Sequence, residues 1–178
     1  MTVHLFVDES RGRDYLLVAA CVVAGDVTSL RKEMRSYLRP GQRSIHFTKE
    51  ADATRSAFAG AIEASAITAA VYRTPIRHRE LAAREACVRA VARDAVRLGA
   101  QMIVLDQDDS LMVHDRRWLF QELHWSRGGT SVRYEHRHRH EDPLLWVPDA
   151  IAWCWQRGGR WRERFALTVI DEFDVEPL

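Results

Sequence analysis

The chain has 178 residues, of which 47% are hydrophobic and 29% charged, and its formal net charge is +1. This balance is that of an ordinary globular protein and excludes a disordered chain. No apolar run approaches the roughly 18 residues that a membrane-spanning helix needs, so we expect no membrane segment. The length predicts a single domain over residues 1–178.

Three cysteines, Cys21, Cys87 and Cys154, lie in apolar segments and have neither metal-binding nor redox spacing. Such cysteines are typical reduced core residues of a cytoplasmic protein. Residues 1–5 also lack the basic region and the long apolar stretch of a secretory signal. We therefore expect a cytoplasmic protein.

The first half of the chain predicts a β-hairpin, then helices and a third strand. Leu5–Val7 and Tyr15–Val23 are apolar runs joined by a short loop that contains Gly12, which is the pattern of two paired strands. Two predicted helices and a β-branched strand follow, over residues 26–38, 49–65 and 67–72.

The clearest helix is predicted over residues 79–98, because Leu81, Val88, Val91 and Leu98 fall on one apolar stripe at helical spacing. After it a strand is predicted over residues 101–105 and a helix over residues 110–125, which Gly128-Gly129 ends. Two more strands are predicted over residues 131–138 and 166–170.

A final helix is predicted from Asp142-Pro143 to about Gln156, since Asp caps free amides and Pro is tolerated at the first helical position. Pro148 should either kink this helix or mark its true start. A hairpin that leads into a β-α-β crossover indicates a mixed sheet flanked by helices, an α/β fold.

Acidic residues at the ends of predicted strands are candidates for a metal site. Asp8 follows Phe6-Val7, and Asp106 follows the run that ends at Leu105. Either residue alone is more simply explained as the cap of a following turn. Together they would repel each other unless a cation lay between them, and oxygen ligands suit Mg²⁺ or Mn²⁺.

Asp149 strengthens this hypothesis, because the segment 144–153 around it is apolar on nearly every helical face. An acid in a buried helix needs a basic partner or a metal. Glu85 lies near the edge of the stripe of the helix over 79–98 and is a fourth candidate ligand. An ion pair of Glu85 with Arg84 or Arg89 explains its position equally well.

Several short motifs resemble a bacterial family called domain of unknown function 3800. They are Asp8-Glu9-Ser10 at the end of the first strand, His46 in an extended Ile-His-Phe segment, the strand-end Asp106 and the helical motif with Asp149. The resemblance implies a ribonuclease H-like fold and a metal-dependent nuclease.

If the resemblance holds, Asp8, Asp106 and Asp149 hold two Mg²⁺ or Mn²⁺ ions that hydrolyse a phosphodiester bond in RNA or DNA. His46 or Lys49 would contact the phosphate or move a proton, and Glu9 is a weaker ligand because adjacent strand residues point to opposite faces. Trp146 and Pro148 depart from the pattern of the family. They leave open a second interpretation, a non-catalytic module that binds nucleic acid or supports assembly.

The run from Glu135 to Glu141 alternates histidine and arginine. As an edge of the active site, its residues His136, Arg137, His138 and Arg139 would contact phosphates. An exposed strand without any ligand explains the run more simply, and a zinc site on His136, His138 and His140 is a weaker alternative. Arginines around Gly158-Gly159 either extend the phosphate-binding surface or belong to a solvated loop.

Overall fold

The computed structural model of the protein describes residues 2–75, 79–125 and 131–177, so the predicted break at Gly128-Gly129 lies outside the described residues. The strands are β1 (Val3–Arg11), β2 (Asp14–Val23), β3 (Thr68–Pro75), β4 (Met102–Asp106), β5 (Arg133–Arg137) and β6 (Val169–Asp174). The helices are α1 (Val27–Arg35), α2 (Asp52–Ala64), α3 (Glu80–Arg97), α4 (Met112–Trp125), α5 (Trp146–Arg157) and α6 (Gly159–Arg164).

The six strands form one mixed sheet in the order β5-β4-β1-β2-β3-β6. Strands β1, β2 and β3 are antiparallel neighbours, whereas β4 runs parallel to β1, β5 parallel to β4, and β6 parallel to β3. The predicted mixed sheet with flanking helices is therefore confirmed.

Each face of the sheet packs against its own helices, because the side chains of β1 alternate between the two faces. Phe6 belongs to the core beneath α1, α2 and α5, whereas Leu5 and Val7 belong to the core beneath α3 and α4. All three side chains are at most 2% exposed. Burying such a side chain contributes about 1.5–3 kcal/mol, which is why β1 is apolar from Leu5 to Val7.

Helix α5 is buried on nearly every side and contacts both β1 and β2. The carboxylate of Asp142 accepts a hydrogen bond from the Leu144 amide at 3.1 Å and so caps a short 3-10 turn, and the α-helix itself begins at Trp146. Pro148 is the third residue of this helix, where an amide would have no acceptor within the helix, so it marks the start and costs no hydrogen bond.

Three local features differ from what the sequence predicted. The last strand lies at Val169–Asp174 rather than at residues 166–170, and the residues after Gly158 form α6. In α3, Leu81 and Leu98 are 42% and 44% exposed, so the buried stripe is centred elsewhere on the helix than the sequence pattern suggested. Among the described residues, no helix is long and apolar enough to cross a membrane.

Candidate functional site

Two aspartates lie side by side where the pairing of the parallel strands β1 and β4 ends. Val7 of β1 is level with Leu105 of β4, and the next residues are Asp8 and Asp106; Asp106 is the last residue of β4, whereas β1 continues beside β2 to Arg11. The side-chain alternation of the strands directs both of them to the face covered by α5. In open α/β sheets this edge is where ligands are commonly bound.

The third aspartate, Asp149, reaches the same place from the first turn of α5 and is 8% exposed. Its Oδ2 accepts a hydrogen bond from the Phe47 amide at 2.7 Å. This bond ties the extended segment before α2 to α5, and it holds the Asp149 carboxylate over the sheet edge. The three aspartates thus converge from three separate parts of the chain.

Arg139 lies among the three carboxylates. Its Nη2 donates to Asp106 Oδ2 at 2.6 Å and to Asp8 Oδ2 at 3.3 Å, and its Nη1 is 3.5 Å from Asp149 Oδ1. The carbonyl of Arg139 accepts a hydrogen bond of 2.7 Å from the indole of Trp146, which fixes the backbone at this position. One guanidinium therefore serves as the common counter-ion of the cluster.

His46 completes the cluster. Its Nδ1 is 2.6 Å from Arg139 Nη1 and 3.2 Å from Asp149 Oδ1. A guanidinium can only donate, so Nδ1 accepts this bond and a neutral ring carries its proton on Nε2. The His46 side chain is 35% exposed and lines the cleft described below.

Burial and the neighbouring carboxylates change the protonation of Asp8. Burial, and then the nearby Asp149 and Asp106 carboxylates, raise the pKa of Asp8 well above its usual range, although Arg139 opposes the shift. Burial works to lower the pKa of Arg139, but the three carboxylates outweigh it and raise that pKa above its usual value. The site therefore favours additional positive charge or a proton.

The cluster lies in an open cleft of about 890 Å³. Six carboxylates line the cleft against two arginines and three histidines: Asp8, Glu9, Asp106, Asp108, Asp109 and Asp149, then Arg11, Arg139, His46, His138 and His140. The carboxylates outnumber the guanidinium groups six to two, so acidic side chains dominate the lining of the cleft. A cation would be attracted here, whereas an uncompensated anion would be repelled.

Comparison with known proteins identifies the fold. The chain is similar to a chain in the structure of the PCNA:RNase HII complex from Archaeoglobus fulgidus, with a TM-score of 0.58 over 86% of this chain and 71% of that chain, at 18% sequence identity. The fold is ribonuclease H-like. No family model matches this sequence, and no curated protein sequence matches it significantly.

The ribonuclease H-like sheet places Glu9 on the face opposite to Asp8. Glu9 makes ion pairs with Arg84 and Arg11, and its Oε2 accepts a hydrogen bond of 3.5 Å from the Tyr15 hydroxyl. It lines the cleft at its rim. The Glu9 carboxylate therefore contacts residues on the other face of the sheet and is not part of the cluster of three aspartates.

Glu85 does not join the cluster, and this corrects its prediction as a ligand. Its carboxylate pairs with Arg89 at 2.8 Å, and its side chain is 38% exposed. Glu85 was predicted to lie near the core because Leu81 was assigned to the buried stripe of the helix, but Leu81 is itself exposed. Arg84 occupies the buried stripe of α3 instead.

A buried polar network on this second face was not predicted. Arg84 donates two hydrogen bonds to Asp115 of α4, at 2.7 and 2.8 Å, and His136 Nε2 lies 3.2 Å from the same carboxylate. These side chains are at most 2% exposed. The signal in the sequence is that Arg84 stands at the i−4 and i−7 positions from Val88 and Val91.

The network removes His136 from the predicted phosphate-binding residues, because a buried side chain cannot reach a nucleic acid. Arg137 pairs with Glu135 at 2.7 Å and with Asp142 at 3.1 Å, so its charge is already compensated. Lys49 is exposed beside the cleft but does not line it. Arg139 remains at the centre of the cleft.

The zinc alternative is not supported by the positions of the three histidines. His138 and His140 stack at 5.4 Å between ring centroids and line the cleft, whereas His136 faces Asp115 in the core. Strand β5 ends at Arg137, so the alternation that would have aligned the three rings stops before His138.

A divalent cation fits the donor set, although the described residues contain no group of three or more carboxylate, histidine or cysteine side chains already arranged to hold one. The donors are carboxylate oxygens, which Mg²⁺ and Mn²⁺ prefer. Arg139 shows that the cluster stabilises positive charge, and it is the stand-in for a cation.

The raised pKa of Asp8 predicts a characteristic pH dependence. Protonated Asp8 stabilises the folded protein. This contribution is complete below pH 3.8, the usual pKa that Asp8 has in the unfolded chain, and it is lost as the pH rises through the higher pKa of the folded state. At pH 7 without metal, Asp8→Asn should therefore raise the urea midpoint of unfolding, because it removes a repelled buried charge. The difference from the parent protein should shrink as the pH falls toward 4.

The matched control is Asp171→Asn, an exposed residue of β6, which should leave the urea midpoint unchanged at either pH. An Asp8→Asn variant that is less stable than the parent protein at pH 7 would show that the hydrogen bonds of Asp8 outweigh the repulsion.

Proposed function

We propose that this chain is a divalent-metal-dependent nuclease that hydrolyses phosphodiester bonds in RNA or DNA. One observation carries the proposal: Asp8, Asp106 and Asp149 converge on one face of a ribonuclease H-like sheet around a shared positive charge. The acidic excess in the cleft supports the same conclusion, since it suits a bound cation better than a bare polyanion.

Asp8, Asp106 and Asp149 would hold the Mg²⁺ or Mn²⁺. When bound, such an ion lowers the pKa of an attacking water and stabilises the leaving oxygen. The protein contributes position: two carboxylates come from adjacent rigid strands, and the third is fixed by the Phe47 amide. Residues on such elements keep their geometry better than residues on loops.

Arg139 and His46 supply the other groups that a phosphodiester needs. A guanidinium binds phosphate oxygens through the same paired donors that it offers to a carboxylate. Arg139 can therefore exchange its carboxylate partners for the substrate phosphate. His46 carries an N–H on Nε2 beside the cluster and can donate a hydrogen bond from it to an oxygen of the substrate.

The same proposal covers the family and the location of the protein. Membership of the domain of unknown function 3800 family would account for Asp8-Glu9-Ser10, His46 and Asp149. A cytoplasmic location agrees with the free thiols of Cys21, Cys87 and Cys154.

A second candidate function is a non-catalytic module that binds nucleic acid, and Arg139 is the observation that favours it. If this guanidinium is a permanent counter-ion, no metal is needed for stability. Trp146, which replaces a smaller polar side chain of the family pattern, would then lock the loop at Arg139 through its 2.7 Å hydrogen bond.

Metal titration separates the two functions. The purified chain is mixed with end-labelled RNA and DNA, single and double stranded, in chelator and in millimolar Mg²⁺ or Mn²⁺. A nuclease should release shorter products with metal and none with chelator. Metal at about 100 times its Kd should also add about 2.7 kcal/mol of stability, a rise in Tm of about 5–10 °C.

If millimolar metal produces no cleavage and no change in Tm, the nuclease is contradicted and the non-catalytic module remains. Metal-independent binding of the same oligonucleotides would then support that second function.

A further inference from the structure

A basic depression lies directly beside the acidic cleft. It has a volume of about 430 Å³, and Asp52, Arg55, Trp153, Arg157, Arg160 and Trp161 line it. Trp153 also lines the cleft that holds the aspartates, so one indole separates the two sites. Three arginines face one aspartate here, which reverses the charge balance of the cleft.

The arginines of this region divide into those with partners and those without. Arg164 pairs with Glu63, Arg162 pairs with Glu172, and Arg55 donates to Asp52 and to the carbonyls of Phe47 and Thr48. These three are part of the fold.

Arg157 and Arg160 differ from them. Both are exposed, and within the described ranges neither side chain makes a hydrogen bond or an ion pair; the Arg160 guanidinium lies 5.7 Å from the centroid of the Trp161 ring. The chain turns between them through Gly158 and Gly159, whose φ values are +71° and +54°. This conformation favours glycine, and it brings the end of α5 and the start of α6 to the same depression.

An acidic cleft creates a problem for a polyanionic substrate. The scissile phosphate must enter a place where carboxylates outnumber bases, so the neighbouring phosphates need cations just outside it. The depression beyond Trp153 supplies unpaired guanidinium groups at that place. Arginine binds phosphate oxygens in a fixed, paired geometry.

We propose that the depression binds the backbone phosphates next to the scissile bond, with Arg157 and Arg160 as the donors and the strand crossing Trp153. This inference rests on the proposed function and adds the direction in which the substrate leaves the cleft. The ligand is a nucleic-acid phosphate backbone, which is read without regard to sequence.

The test is the double variant Arg157→Gln/Arg160→Gln beside the matched control Arg35→Gln/Arg117→Gln, which removes the same charge from exposed arginines outside the depression. Fluorescence anisotropy with an end-labelled oligonucleotide gives Kd over a range of salt concentrations, and cleavage in Mg²⁺ gives kcat and KM. We expect Kd and KM to rise about tenfold with kcat within about twofold, and the slope of log Kd against log salt to become shallower by about 1.5.

The control should bind and cleave like the parent protein. If the two double variants behave alike while the parent cleaves, this inference is overturned and the nuclease stands. If the parent binds without cleaving and only the Arg157/Arg160 variant loses binding, the nuclease is overturned; the depression then still binds a phosphate backbone, but its place beside a scissile bond is overturned with the nuclease. If the parent neither binds nor cleaves, both are overturned.

Discussion

Asp106→Asn should lower metal-dependent cleavage by about 100-fold or more, with the free energy of unfolding changed by less than about 1 kcal/mol. Loss of a group that only supports a metal ligand costs about 10–100-fold, so loss of a direct ligand should cost at least as much. Within the described residues the hydrogen-bond partner of the Asp106 carboxylate is Arg139, and an amide oxygen can still accept that bond. Cleavage rates and urea denaturation of the same sample measure the two effects.

Asp106 is a cleaner choice than the other two aspartates. Asp149 also holds the Phe47 amide, and Asp8 accepts the Glu9 amide at 2.8 Å, so their substitution changes the backbone environment as well. Asp171→Asn is again the control and should cleave at the rate of the parent protein. Unchanged cleavage by Asp106→Asn would remove this carboxylate from the catalytic groups.

Arg84→Met should lower the free energy of unfolding by about 3–5 kcal/mol, because it leaves the fully buried Asp115 carboxylate without its principal partner. The two hydrogen bonds to Asp115 are lost, and His136 alone cannot replace them. The 3.3 Å hydrogen bond to the Tyr15 hydroxyl and the ion pair with Glu9 are lost as well. Methionine keeps most of the volume of the arginine stem, which limits any additional effect of a cavity. Urea denaturation with a constant m-value measures the change.

The matched control is Arg93→Met, because Arg93 is 58% exposed and pairs with Glu122 at 3.4 Å. Exposed pairs contribute about 0–1 kcal/mol, so this variant should stay close to the parent protein. Equal effects of the two substitutions would show that the buried pair contributes no more than a surface pair.

Acid unfolding gives an independent check on the same network. Burial acts to raise the pKa of Asp115, but its hydrogen bonds with Arg84 and His136 prevail and hold that pKa below its usual value of 3.8. The contribution of ionised Asp115 to stability is therefore complete above pH 3.8 and is lost as the pH falls through the lower pKa of the folded state. In Arg84→Met this acid-sensitive contribution should disappear.

Local patterns in the chain predicted most of the elements and the fold class, but they misplaced the last strand and did not predict α6. Apolar runs that end in a turn or an acid predicted β1, β2 and β4, since a strand buried on both faces must be apolar throughout. The order of a hairpin followed by a crossover then restricts the sheet to few topologies. Asp8, Asp106 and Asp149 could be named as a set because the first two each follow an apolar strand and the third lies inside an apolar helical segment.

Only the tertiary structure decided which charges meet. Glu85 and Arg84 are adjacent in α3, yet one is exposed and the other buried, because the packing of α3 on α4 sets the rotation of the helix. The residues from His136 to Arg139 likewise divide between the core and the cleft at the end of β5. The central position of Arg139 among three aspartates depends on distances between segments far apart in the chain, which no local pattern encodes.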